Sequence, residues 1–203
     1  MSDFYDKAAS FIKDFEGFNP NATWDVNAYR IGHGSDTLTL SNGTYRKVKK
    51  GDTTTRELAA KDLARRIEKE FEPRVRKQIG EKYYDELPNP AKIALISLAY
   101  NYGGLKVKDG HLQPIIDAAR IGDVDKLADS IVESTKNDNK GTKYYVGLQK
   151  RRKKEADLAR SEKKVNKKPL VKKVNISFDL DQTFVTALLV VVGYVLYNKI
   201  KLK

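Results

Sequence analysis

Residues 15–36 read FEGFNPNATWDVNAYRIGHGSD, from Phe15 to Asp36, and this stretch decides the architecture. Glu16 closes a segment in which Phe4, Ala8, Phe11, Ile12 and Phe15 recur at helical spacing, so a helix over 3–15 is predicted. Asp25 follows nine residues later, just before the aromatic- and glycine-rich run Tyr29-Arg30-Ile31-Gly32-His33-Gly34. A helix end facing a small β-lobe is a place where a cleft can hold two carboxylates.

Beyond that stretch, 37–40 and 44–48 flank Ser41-Asn42-Gly43, a strong hairpin-turn signal. Thr53, Thr54 or Thr55 can cap the next helix, with Glu57 placed as a capping-box partner to Thr54. That helix is expected to reach Phe71, with Leu58, Leu63 and Ile67 on one face; Pro73 ends it or opens a new turn. Pro88 and Pro90 precede a helix over 91–102 whose run IALISLAY is too apolar for a surface helix and reads as the central core element. Gly103-Gly104 stops it. Helices near 112–120, 123–135 and 144–161 follow. The order is one helix, a small β-hairpin lobe, then a run of helices: an α+β fold, mostly helical, with the strands segregated to one end.

Cleaving a glycosidic bond needs a protonated acid on the leaving oxygen and an ionised carboxylate on the other face of the sugar. The opening stretch resembles the start of the T4-type phage lysozymes (glycoside hydrolase family 24), in which a helix ends in a catalytic Glu followed by Gly, a catalytic Asp lies close by, and an I-G-x-G turn comes shortly after. Here these are Glu16-Gly17, Asp25 and Ile31-Gly32-His33-Gly34. TTRELAAKDL (54–63) is similar to that family's helix after the β-lobe, ALISLAYNYG (94–103) to its central helix, and GLQKRRKKE (147–155) to its closing G-L-x-x-R-R-x-x-E element. The resemblance covers residues 1–160. It implies a lysozyme-like fold and an endo-β-1,4-N-acetylmuramidase acting on peptidoglycan, with no cofactor.

The resemblance makes Glu16 the general acid. Its neighbours Phe15 and Phe18, and the negative end of the helix dipole, favour a protonated side chain; the alternative is an ordinary Glu at a helix end. Asp25 becomes the second carboxylate, with Asp36 its rival; either could instead cap a turn. Tyr29 stacks on a sugar ring or packs the β-lobe. Asn101 aligns with a substrate-contacting amide or serves as a helix cap before Gly103. Arg151 or Arg152 returns to orient Glu16, or lies on a solvated basic helix. The inverting members of the family carry Thr directly before I-G-x-G to help hold a water; this chain has Arg30 there. That leaves open a lytic transglycosylase outcome, in which Glu16 acts as acid and then base. His33 and His111 are the two histidines and have no ligand spacing, so no metal is expected.

Net charge is +12 over 203 residues, but unevenly spread. Residues 150–173 hold 12 basic and 3 acidic side chains, whereas 1–149 are close to neutral. A localised block of this kind argues for a surface-binding tail rather than a nucleic-acid partner. There is no cysteine, so redox compartment is not readable, and the polar N-terminus has no secretory h-region. Residues 182–198, QTFVTALLVVVGYVLYN, carry no charge. The expectation is a catalytic domain over 1–160, a basic linker over 161–179 and a single transmembrane anchor over 180–200, flanked by Tyr194, Tyr197 and snorkelling lysines. The linker's lysines would attract anionic lipid by roughly 1 kcal/mol each. The membrane is then that of a phage particle or the host inner membrane, and the role the opening of the wall at infection or at release. Two non-enzymatic readings remain: a structural virion membrane protein, and a pore former needing only the C-terminal segment.

Overall fold

The computed structural model describes residues 3–136 and 140–162. Contacts divide the chain into two units, Met1–Lys164 and Val165–Lys203, and the described residues belong to the first. The linker beyond residue 162 and the expected anchor over 180–200 lie outside the described residues.

Helix α1, Asp3–Glu16, carries Asp3 and Asp6 in its first turn and Lys13 in its last, each matched to the helix dipole, and buries Ala8, Ala9 and Ile12. Two antiparallel ribbons follow. Strands β1 (Asn19–Asp25) and β2 (Ala28–Gly32) pair around a turn at Val26-Asn27; β3 (Thr37–Thr39) and β4 (Tyr45–Lys47) form the hairpin expected around Ser41-Asn42-Gly43. Ile31, Leu38 and Val48 make the small core of this lobe, with Ala22, Tyr29 and Leu40 packed against it.

Helix α2, Arg56–Arg66, is capped by Thr55, whose Oγ1 accepts from the Leu58 amide at 3.3 Å. The capping box built on Thr54 and Glu57 is therefore not formed; the cap sits one residue later. Of the two roles open to Pro73, ending that helix or opening a new turn, the structure shows the second. A π-helical turn, Ile67–Phe71, leads straight into α3, Glu72–Ile79, with Pro73 in the first turn of α3. Pro73 cannot donate to a carbonyl four residues back, and a one-residue widening just before it lets the chain continue. Helices α4 (Glu81–Glu86), α5 (Asn89–Tyr102), α6 (Gln113–Ile121), α7 (Val124–Glu133) and α8 (Tyr145–Arg160) complete the fold.

Helix α5 is the centre of the main core. Ala91, Ile93, Ala94, Leu95, Ile96, Leu98 and Ala99 are all buried, against residues from α1, α2, α3, α6, α7 and α8. A helix apolar on every face is stable only inside. Its one buried polar side chain, Ser97, finds a partner on α8.

The β-lobe is bolted to α2 by a buried carboxylate. Asp62, 2% exposed, accepts from Ser35 Oγ (2.6 Å), Thr37 Oγ1 (3.0 Å) and Thr39 Oγ1 (2.8 Å), and pairs with Arg65 at 3.1 Å. Three hydroxyls and a guanidinium satisfy the charge that burial would otherwise penalise. Next to this network Gly32 (φ +63°) lies so close to α2 that a Cβ would stand 2.8 Å from the Ala59 Cβ.

Gly32→Ala should lower unfolding stability by about 2–4 kcal/mol, through overpacking plus left-handed strain. Gly34→Ala (φ +82°, nothing within 4 Å) should lose only the conformational part, about 1–2 kcal/mol. Urea midpoints of the two variants check this; equal losses would mean that the approach of β2 to α2 is not tight.

Candidate active site

Glu16 is the last residue of α1, and Gly17 turns the chain away with φ +64°. The Glu16 side chain is 21% exposed, enough for a substrate to reach it. Arg151 Nη1 donates to its Oε1 at 2.7 Å. The other two nitrogens of that guanidinium are engaged as well: Nε donates to Glu155 Oε1 at 3.1 Å and Nη2 to the Ser97 carbonyl at 3.1 Å, while Cζ lies 4.9 Å from the centre of the Phe15 ring. Glu155, wholly buried, also accepts from Ser97 Oγ (2.6 Å) and from Arg152 Nη1. Arg152, equally buried, donates through Nη2 to Asn101 Oδ1. Glu16, Arg151, Glu155, Arg152, Ser97 and Asn101 thus form one hydrogen-bonded network linking α1, α5 and α8. Besides Glu16 it holds two guanidiniums and one buried carboxylate.

The I-G-x-G turn reaches the same place. His33 Nδ1–H donates to the Gly17 carbonyl, which fixes the tautomer, since a carbonyl only accepts. Tyr100 Oη donates to the His33 carbonyl at 2.6 Å. Burial pushes the Tyr100 phenol well up, so it stays a donor at any physiological pH. His33 is therefore a structural tie between the β-lobe, the end of α1 and α5.

Asp25 and Arg30 stand apart from this network, on the first hairpin. Asp25 ends β1 with its side chain 62% exposed, and Arg30 Nε on β2 lies 3.8 Å from its Oδ2. The turn beside it is strained: the Asn27 amide donates to the Asp25 carbonyl at 2.5 Å, around a Val26 held at φ 48°. A β-branched residue there is a genuine outlier, of the kind that concentrates at functional sites. No hydrogen bond or ion pair among the described residues joins Asp25 to the Glu16 network.

Asp36, the rival carboxylate, is engaged by Lys47 Nζ at 2.5 Å and Arg66 at 3.5 Å. Burial pushes its carboxyl up, but Lys47, Arg66 and Arg30 together outweigh that and hold it below the ordinary range. It is an ionised, charge-paired group. Tyr29 packs on the lobe core beside Ile31 and Val48 and meets Trp24 edge-on at 5.2 Å. Sequence reading gave no individual role to Glu155, Ser97, Tyr100 or Asp62. The signal for the first was present in the closing motif: Arg151, Arg152 and Glu155 lie within one helical turn, and a carboxylate three and four residues beyond two arginines can serve both.

Glu155→Gln should cost about 3–5 kcal/mol of stability, because it strands two buried guanidiniums. Glu16→Gln, at the exposed edge of the same network, should cost about 1 kcal/mol. Guanidinium chloride unfolding of both variants checks this; a Glu155→Gln protein as stable as the parent would remove the network's structural role.

The sequence matches the Phage lysozyme family over residues 13–155. Among solved structures, the crystal structure of the active form of the phage P1 endolysin Lyz is similar, with a TM-score of 0.53 and 20% identity over 75% of this chain and 83% of that one. At that identity the likeness speaks for the fold alone. No curated protein matches. With the family match spanning most of the chain and the lysozyme-like fold beneath it, this chain belongs to the phage lysozyme family.

Proposed function

We propose that this protein is a peptidoglycan hydrolase that cleaves the glycan strand between N-acetylmuramic acid and N-acetylglucosamine. The observation that carries the reading is the Glu16–Arg151 contact: a partly exposed acid at a helix end, held in one orientation by a guanidinium that is itself fixed by Glu155 and Ser97. Glu16 protonates the glycosidic oxygen as the bond to C1 breaks. The carboxylate left behind is the anion that the two-arginine cluster lacks, so Arg151 stabilises the product of proton transfer. Asp25 takes the proton of the attacking water, or faces the oxocarbenium ion, from the opposite side of the ring. The Asn101 amide, anchored through Oδ1 to Arg152, keeps its NH2 for an acetamido carbonyl.

Arg30 motivates a second reading on the same substrate. It brings a guanidinium, not a hydroxyl, to within 3.8 Å of Asp25. Were no water held there, the C6 hydroxyl of the muramic acid would attack C1, pass its proton to Glu16 and close a 1,6-anhydro ring.

The full-length protein incubated with purified peptidoglycan should release muropeptides with a reducing muramic acid; products lighter by one water would establish the transglycosylase instead. Glu16→Gln should lower the rate by about 10²–10⁴-fold in either case. Asp25→Asn should cost more than Asp36→Asn in a hydrolase. Release of nothing by the parent protein would remove the enzymatic reading and favour a structural virion protein.

We further infer that residues 180–200 anchor the protein in a membrane, of the phage particle or the host, with the basic linker against anionic lipid. The support is the uncharged run at 182–198 behind a lysine-rich segment. The protein expressed in bacteria should stay with the membrane pellet through alkaline carbonate washing and leave it in detergent. Recovery in the carbonate supernatant would exclude an integral anchor.

A further inference from the structure

The chain has a single tryptophan, and the core does not use it. Trp24 stands 62% exposed on β1, one residue before Asp25. Its cross-strand partner is Tyr29, whose ring meets the indole at 5.2 Å and 77°. That edge contact fixes the plane of the indole and leaves a broad face to solvent. Side chains alternate along a ribbon, so the Trp24–Tyr29 pair and the Asp25 carboxylate project from opposite faces of the hairpin.

On the Trp24 face the two ribbons enclose an open groove of about 470 Å³, within the range of small-ligand clefts, about 300–1,000 Å³. Trp24, Ala28, Tyr29 and Val48 give it apolar walls; Asn27, Arg30, Asp36 and Lys47 give it donors and acceptors. Asp36 and Lys47 are already paired at 2.5 Å, with Asp36 ionised, so both present fixed hydrogen-bonding atoms without an uncompensated charge. A flat aromatic face beside an amide and a carboxylate–ammonium pair suits a sugar ring: apolar C–H bonds on one face, hydroxyls and an acetamido group around the rim. An anionic polymer would meet Asp36 as well as Lys47 and Arg30, and each of those cations already faces a carboxylate: Lys47 that of Asp36 at 2.5 Å, Arg30 that of Asp25 at 3.8 Å.

We propose that this groove is a saccharide-binding site, with Trp24 as its stacking platform, that holds a stretch of peptidoglycan glycan beside the Asp25–Arg30 pair. The proposal rests on the peptidoglycan reading above. Its consequence is avidity: a second contact raises the effective concentration of an insoluble wall at the enzyme without altering the bond-breaking groups.

Because Trp24 is the sole tryptophan, its fluorescence reports the site directly. The full-length Glu16→Gln protein, whose turnover is slowed about 10²–10⁴-fold, is titrated with the tetrasaccharide of N-acetylglucosamine. Emission should shift and saturate, and Lys47→Ala should weaken the apparent affinity about three- to tenfold. Trp24→Ala in the same background should lower retention on sedimented peptidoglycan by a similar factor. In the active protein it should raise KM for walls by more than it lowers kcat. An unchanged emission spectrum with saccharide would overturn the proposal, as would a shift produced by anionic vesicles and not by saccharide. The peptidoglycan reading fails differently: the parent protein would then release no muropeptides, whatever Trp24 does.

Discussion

The structure depends first on one buried carboxylate, Glu155, shared by two guanidiniums. Burying three charged side chains is costly unless they pair with one another and with polar neighbours. Here Glu155 takes Arg151 Nε, Arg152 Nη1 and Ser97 Oγ, while Arg151 spends its other nitrogens on the Ser97 carbonyl and Glu16. The geometry admits one arrangement of α1, α5 and α8, because each helix contributes a partner that no other residue supplies. A hydrophobic cluster of equal volume would pack α8 on α5 as firmly, but would not dictate where the end of α1 lies. The cluster's use is specificity of placement, and what it places is the Glu16 side chain.

A second buried carboxylate does the corresponding work for the β-lobe. Asp62 collects three hydroxyls from the strand and turn following β2, and Gly32 lets that backbone come against Ala59. Two short ribbons with a core of three buried side chains could not hold together unaided. Their stability is borrowed from α2. His33 closes the circuit, since the same turn that Gly32 lets approach α2 reaches the Gly17 carbonyl and the Tyr100 hydroxyl.

Much of this was legible in the chain. The periodicity of α1, the all-round apolarity of α5, the Ser41-Asn42-Gly43 turn and the glycines after α5 are local signals, and local physics writes them strongly. The first hairpin was not visible as a hairpin, because β1 reads Asn-Pro-Asn-Ala-Thr-Trp-Asp and its strand conformation is imposed by pairing with β2 rather than by propensity. The continuity through Pro73 was hidden for a similar reason: a π turn is a cooperative adjustment with no residue signature. At the site, family resemblance pointed to Glu16, Asp25, Asn101 and the arginine pair. It did not reveal that Ser97 and Glu155 tie Glu16, Asn101 and the arginines together, because a hydrogen bond across 58 residues leaves no trace in spacing.

The two carboxylates sit in unequal mechanical settings, and this bears on the reaction. Glu16 is held at the end of a long helix by a guanidinium with no freedom left. Asp25 is mostly exposed, on a turn with a left-handed valine, with a single ion pair at 3.8 Å. A preorganised acid needs no reorganisation at the moment of proton transfer, whereas an exposed partner gains its final position only when a sugar excludes water from around it. On the proposed reading, the departure of the leaving group is therefore set by the fold, and the choice between water and the C6 hydroxyl as attacking group is set by the hairpin. The Arg30 substitution falls on that hairpin and leaves the Glu16 network untouched, so the chain can vary the fate of the sugar cation without disturbing the step that creates it.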